Sequence, residues 1–297
     1  MGSPLRSLSI IGCGKTGQTL GRLLVSHRLF AIRDIVTSSQ ESARNAVSFV
    51  GAGDACGSIF ALRRADLFMV TTPDSEIVAV ARDLVACDVV TEGAVVFHCS
   101  GALGSELLAG LKDQGAAVAS VHPVKSFSEP SQAVLSFTGT YCGIEGDDRA
   151  VAELSHAFEA IGGRVFPVKA DSKALYHAAH VFACNYLTAL IECAVQCSEQ
   201  AGINRSEALA IIAPLVRETT EAVLSRGADS ALTGPIARGD VNVVAEQYAH
   251  ISKWRDNYGE LYRLLGQVAF EIAARSGVLL GEEAARMQKA LVGCARY

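Results

Sequence analysis

Short apolar runs and amphipathic stretches alternate through the first half of the chain. Leu8-Ser9-Ile10-Ile11 reads as a strand, and glycines follow at once. Residues 19–29 carry Leu20, Leu23 and Leu24 at helical spacing, 31–36 read as a second strand and 40–46 as a short helix. Residues 67–71 read as a strand leaving the charged segment Arg63-Arg64-Ala65-Asp66. A helix over 74–87, a strand over 94–99, a helix over 105–114 and a strand over 117–121 follow. This alternation predicts βαβ units and a parallel sheet. Residues 141–144, a helix near 148–161, and 164–168 extend it.

From Ala170 the pattern changes to long helical stretches, about 172–200, 205–225, 240–275 and 281–292, separated by turn-like pieces such as Thr233-Gly234-Pro235. The expected organisation is an α/β domain over residues 1–168 and an all-α domain over 169–297. Half of the 297 residues are apolar, enough for a sizeable core. The formal charge of −5 argues against a nonspecific nucleic-acid binder.

Nine cysteines, an odd number scattered through apolar segments, read as thiols in a reducing compartment, and the expected localisation is cytoplasmic. With no CxxC pair, no metal site is expected. The first residues form too short and glycine-broken an apolar stretch for a secretory signal. An uncharged run over 174–191 contains His177, His180, Asn185 and Thr188, which are costly in lipid. It is expected as a buried helix between domains or subunits rather than a membrane span.

The strongest local signal is Gly12-Cys13-Gly14-Lys15-Thr16-Gly17, a GxGxxG that directly follows the first strand and opens the first helix. Gly12 permits the tight turn, Gly14 lets the backbone approach a pyrophosphate, and Gly17 permits close contact of helix and strand. The helix N-terminus supplies N–H donors for the phosphates. The spacing excludes a Walker A loop. Where an NAD site usually carries a strand-end carboxylate, this chain has Thr37-Ser38-Ser39, and Asp34 comes too early. Hydroxyl donors with Lys15, Arg33 or Arg44 nearby favour NADP, with NAD the alternative; Ser39 also suits a helix N-cap.

Three further strand ends carry polar or small residues: Thr72-Pro73-Asp74-Ser75, His98-Cys99-Ser100-Gly101 and Ser120-Val121-His122-Pro123-Val124-Lys125. They look like the rim of a ligand crevice, with Thr72, Pro73 and Ser100 toward the cofactor. His122 and Lys125 are candidates to orient an anionic small-molecule substrate. In the second half, Lys173, His177 and His180 fall at i, i+4 and i+7 on one side of a helix. That side lines a polar cavity or borders solvent.

These motifs together resemble oxidoreductases with a Rossmann-like N-terminal domain and a helical C-terminal domain of unknown function. The family lies within the superfamily of 6-phosphogluconate and 3-hydroxyisobutyrate dehydrogenases and pyrroline-5-carboxylate reductases. Lys173-Ala174-Leu175-Tyr176-His177-Ala178-Ala179 and Thr233-Gly234-Pro235-Ile236-Ala237-Arg238-Gly239-Asp240 complete the likeness. It implies a 6-phosphogluconate-dehydrogenase-like helical domain and a homodimer formed through it. In the hydroxyacid branch a catalytic lysine is followed four positions later by asparagine. Lys173 matches that lysine, and His177 stands where the asparagine is expected, which puts a hydroxyacid substrate in doubt.

The expected activity is reversible hydride transfer between NADP and a small carbonyl, hydroxyacid or imino acid, with Lys173, His177 and His122 as catalytic candidates. Alternatives are a regulatory or scaffold protein that binds NADP without turnover, and a purely structural dimer. Arg238 is expected to meet a substrate carboxylate or a loop salt bridge, and Asp240 to cap the following helix.

Overall fold

The computed structural model describes residues 4–292 and divides into two compact units, Met1–Ala183 and Cys184–Tyr297. Cys294 lies outside the described residues. The first unit is built on one eight-stranded sheet. Strands β1 (Ser7–Ile11), β2 (Ala31–Val36) and β3 (Asp54–Cys56) are joined by helices α1 (Lys15–Ser26) and α2 (Gln40–Val50). After β4 (Ala65–Val70), a 3-10 turn at Asp74–Glu76 leads into α3 (Ile77–Cys87) and then β5 (Val90–His98). The expected helix over 105–114 is a 3-10 helix, Ser105–Gln114, leading into β6 (Ala117–Pro123). Helix α4 (Pro130–Leu135), β7 (Tyr141–Gly146), α5 (Asp148–Ala160) and β8 (Arg164–Pro167) complete the layer.

The strand order is β3-β2-β1-β4-β5-β6-β7-β8. Six strands are mutually parallel in the doubly wound order, whose crevice lies at the carboxyl ends of β1 and β4. The expectation of a parallel sheet needs one correction: β7 runs antiparallel to β6, pairing Val121 with Ile144 and Pro123 with Cys142, and β8 follows β7 in parallel. An apolar run has the same pattern in either direction. The central strands β1, β4, β5 and β6 are buried on both faces. Leu8, Ile10, Leu67, Met69, Val95 and Phe97 face one layer of helices, and Ile11, Phe68, Val70, Val96 and Val118 face the other.

Helix α6 (Lys173–His180) closes the first unit and passes into a π-helical turn, Val181–Tyr186, before α7 (Leu187–Gln200). The second unit continues through α8 (Arg205–Arg226), α9 (Ala228–Ala231), α10 (Val241–Trp254), α11 (Asp256–Arg275) and α12 (Gly281–Val292). The expected helix over 240–275 is thus two, broken where Arg255 turns extended, with its guanidinium 5.3 Å from the Trp254 ring and 5.0 Å from that of Tyr258. A small core of Val244, Ala273, Leu279, Met287 and Leu291 holds this unit.

Within the single chain the apolar run is largely exposed. Ala170–Gln200 has the length and composition to cross a membrane, its most apolar 18-residue window having a mean hydropathy of 1.4, yet only 6% of that window is buried. Leu175 is 79% exposed, and in the 22 residues of α8 only Ala208 is buried while Leu215 and Leu224 stand open.

Candidate active site

Gly12 adopts φ +78° at the end of β1, a left-handed conformation that side chains resist, and a Cβ there would lie 2.6 Å from the Thr72 backbone N. Two residues on, Gly14 is the N-cap of α1 and has nothing within 4 Å of its Cβ position. Neither a capping side chain nor an acidic residue occupies the first turn of α1, so its N–H donors remain available to an anion. A Cβ on Gly17 would collide with Thr71 Oγ1, which itself donates to the Gly12 carbonyl at 2.8 Å. Gly12 thus makes the turn, Gly17 allows the close approach of helix and strand, and Gly14 leaves open space at the helix start. Burial pushes the Cys13 thiol up to about 12, so this residue offers backbone and bulk, not a thiolate.

Above this turn is a groove of ≈ 740 Å³. Of the expected cofactor residues, Gly12, Cys13, Gly14, Thr37, Ser38, Thr72 and Pro73 line it; Lys15, Thr16, Gly17, Ser39 and Ser100 do not. Gln18, Ser42, Glu76 and Val80, not anticipated from sequence, also line it. Thr72 Oγ1 is buried without a hydrogen-bond partner, a polar atom awaiting a ligand. At the far rim, Ser39 Oγ accepts from the Ser42 N–H at 3.1 Å, capping α2, and Thr37 Oγ1 donates to the Ser39 carbonyl at 2.9 Å.

Asp34, the one carboxylate on β2, is 3% exposed and accepts from the Arg63 backbone N at 2.8 Å and from its Nε at 3.0 Å. It is consumed inside the fold. Sequence reading saw only that it came early; the arginine that holds it is 29 residues away.

The second group of candidates gathers at the ends of β5, β6 and β7. Ser100 is a hub: its hydroxyl donates to Asp74 Oδ2 at 2.9 Å and accepts from the Ala102 and Leu103 N–H groups. His98 is fully buried, with Nδ1 accepting from the Ser100 N–H and Nε2 donating to the Gly104 carbonyl at 2.9 Å. Burial holds its imidazole below the ordinary histidine range. Ser100 therefore shapes the β5 turn.

Lys173, 2% exposed, sends its ammonium from α6 into this turn. It donates to the Ser100 carbonyl at 2.9 Å and to Ser120 Oγ, and Glu145 Oε1 lies 3.9 Å away. Glu145 in turn accepts from the Ser105 N–H and hydroxyl, each at 2.8 Å. Desolvation lowers the Lys173 pKa, and the Glu145 carboxylate opposes the shift. Its ammonium thus has protein partners, whereas the sequence placed it on the substrate. A glutamate inside the apolar run Tyr141-Cys142-Gly143-Ile144-Glu145 was the overlooked sign of a buried cationic partner.

One turn further along α6, His177 and His180 meet His122 from β6, the ring centroids of His122 lying 5.6 Å from His177 and 5.7 Å from His180. Tyr176 OH is 3.0 Å from His122 Nδ1, and the Tyr176 ring lies 4.5 Å from that of His180. Burial, reinforced by the charges of His177, His180 and Lys173, pushes the His122 imidazole down to about 4. It is neutral near pH 7, with a lone pair to share. Lys125 points elsewhere, donating to the Ser136 carbonyl at 2.9 Å. In the second unit Arg238 pairs with Asp240 at 2.9 Å, the loop salt bridge, and the Asp240 side chain makes no capping hydrogen bond to α10.

The strand order and the glycine turn define a Rossmann-like α/β protein. Family models agree: a Rossmann-like domain matches residues 2–123, and a domain of unknown function, DUF2520, matches 140–269. Comparison with curated proteins finds no match. Among solved structures, protein TM1727 from Thermotoga maritima is 28% identical with a TM-score of 0.70, covering 90% of this chain and 98% of its own. BF3122 from Bacteroides fragilis is 22% identical, TM-score 0.73, with the same coverages. The reductive aminase from Aspergillus terreus, solved with NADPH and ethyl levulinate, is 17% identical, TM-score 0.64, covering 96% and 99%.

Proposed function

We propose that the protein is an NADP-dependent oxidoreductase acting on a small carbonyl, hydroxyacid or imino acid substrate. The observation that carries this reading is the groove over the β1 turn, with its open Gly14, donor-rich helix N-terminus and unpartnered Thr72 hydroxyl. Similarity to a reductive aminase solved with NADPH supports it. Preference for NADP rests on the rim: Ser38 and Ser42 offer hydroxyl donors, while Asp34 is locked by Arg63 and cannot accept from a ribose 2′-hydroxyl.

When bound, the nicotinamide supplies or receives the hydride. The chain's own work is positional. Lys173 braces the β5 and β6 ends by tying Ser100 to Ser120, and so acts as a positioning residue. His177 holds or moves the substrate proton, and the neutral His122, its ring oriented by Tyr176, helps to position the substrate. A homodimer covers the exposed apolar surfaces of α6 and α8, and polar His177, His180, Asn185 and Thr188 make the run over 174–191 a poor fit to lipid. A reducing, cytoplasmic setting belongs to the same reading and rests on the odd number of cysteines scattered through apolar segments.

The test is single-turnover oxidation of NADPH against a panel of small carbonyls, keto acids and imines, followed by nicotinamide absorbance. Hydride transfer to at least one member, slowed in His177→Leu, is expected; binding of NADPH with no transfer to any member contradicts the catalytic reading.

A further inference from the structure

His122, His177 and His180 form a cluster that the hydride-transfer reading uses only in part. One ring nitrogen from each lies within 4.8 Å of the others. Ligands around a four-coordinate transition ion, each about 2.0–2.1 Å from the metal, sit roughly 3.3 Å apart. Small ring rotations therefore suffice to bring the three onto one ion.

The nitrogens converge without bonding one another. His177 Nδ1 and His180 Nδ1 are both buried and have no hydrogen-bond partner, an expensive arrangement for two imidazoles unless something binds there. The β5 turn leaves room for it. A Cβ on Gly101 would stand 2.8 Å from His122 Nε2 and closer still to His177 Nδ1, so glycine keeps open the space between two of the rings.

His122 also has the outer partner that ligating histidines ordinarily possess. Its Nδ1 meets Tyr176 OH at 3.0 Å, which leaves Nε2, the nitrogen on the Gly101 side, to present a lone pair. Tyr176 packs edge-on against His180 as well, fixing a second ring. The Lys173 ammonium opposes a nearby cation, but Glu145, 3.9 Å away, offsets its charge. Cysteine spacing carries no sign of this cluster, because its ligands are histidines from β6 and α6, elements far apart in the chain.

We propose that His122, His177 and His180 bind a divalent transition ion of the zinc class through three neutral imidazoles, leaving an open coordination position for water or a substrate oxygen. The proposal goes beyond the hydride-transfer reading and stands or falls separately from it, because metal binding is measured without substrate or cofactor.

The experiment is titration of chelator-stripped full-length protein with Co²⁺, read by the visible absorption of low-symmetry four-coordinate cobalt and by competition with Zn²⁺. One equivalent should bind and be displaced by Zn²⁺. His180→Ala should abolish the spectrum, and Tyr176→Phe should weaken binding about 10- to 100-fold. Gly101→Ala, which keeps every ligand but fills the gap, should also abolish it. His156→Ala, on exposed α5 surface, should bind as the parent does. Far-ultraviolet circular dichroism and NADPH affinity report whether each variant is folded. Absence of Co²⁺ and Zn²⁺ binding by the folded parent overturns the proposal, as does a spectrum that survives in folded His180→Ala or Gly101→Ala protein.

Discussion

Gly12 and Gly14 stand two residues apart in one turn, yet replacing them should damage different properties. Gly14 has an extended backbone, φ −74° and ψ −158°, and open space around its Cβ position. Valine fits there, and losing a glycine N-cap, about 1 kcal/mol, is partly offset by the lower entropy of the unfolded chain, about 0.4–1 kcal/mol. Folding stability should change by less than about 1 kcal/mol. The side chain would, however, occupy the space through which a pyrophosphate reaches the α1 N–H donors. Loss of two charge-assisted hydrogen bonds at about 1.5–3 kcal/mol each predicts NADPH binding weaker by roughly 10²- to 10⁴-fold. Gly12→Ala reverses the balance. Left-handed backbone costs an L side chain about 1–2 kcal/mol, and a Cβ placed 2.6 Å from the Thr72 N and 2.7 Å from its Cα forces backbone movement. With overpacking at about 1–3 kcal/mol, the total loss is about 2–5 kcal/mol. Urea unfolding gives the stabilities and nicotinamide fluorescence the affinities. The reasoning fails if Gly14→Val binds NADPH like the parent, or if Gly12→Ala is as stable as the parent.

Static light scattering should find a dimer at micromolar concentration, and Leu215→Glu on the exposed side of α8 should shift it toward monomer; a monomeric parent removes the dimer. Lys173→Met should retain NADPH affinity but lose on the order of 3 kcal/mol of stability, because Glu145 is left buried without its cation; unchanged stability refutes the bracing role. The Ser7 hydroxyl and N–H hold the Asp66 carboxyl below the usual range, so its stabilisation is present above the unfolded carboxylate pKa and lost as pH falls through the folded one. Urea midpoints of Asp66→Asn should accordingly fall less steeply between about pH 4 and pH 2 than those of the parent; parallel curves contradict this assignment.

The order of elements in the first unit was legible because each strand is a short apolar run punctuated by glycine or proline, and β2 has the bounds its pattern predicts. What escaped had no local signal. Strand β3 is only Asp54–Cys56, too short for periodicity, and the reversal of β7 depends on pairing rather than composition. The break at Arg255 involves neither glycine nor proline. In the site, the GxGxxG turn could be read directly because its function is local backbone geometry. The pairing of Asp34 with Arg63, of Lys173 with Glu145, and the meeting of His122 with Tyr176 and His180 all join distant segments, and only the fold brings them together.

The central claim is that the groove over the β1 turn holds NADP, with hydroxyls at its rim and Asp34 withdrawn from it. Parallel fluorescence titrations of the full-length protein with NADPH and NADH, at one fixed ionic strength, test it most directly. Saturable binding of NADPH, tighter than that of NADH and lost in Gly14→Val, is the predicted result; binding of neither nucleotide, or tighter binding of NADH, would contradict it.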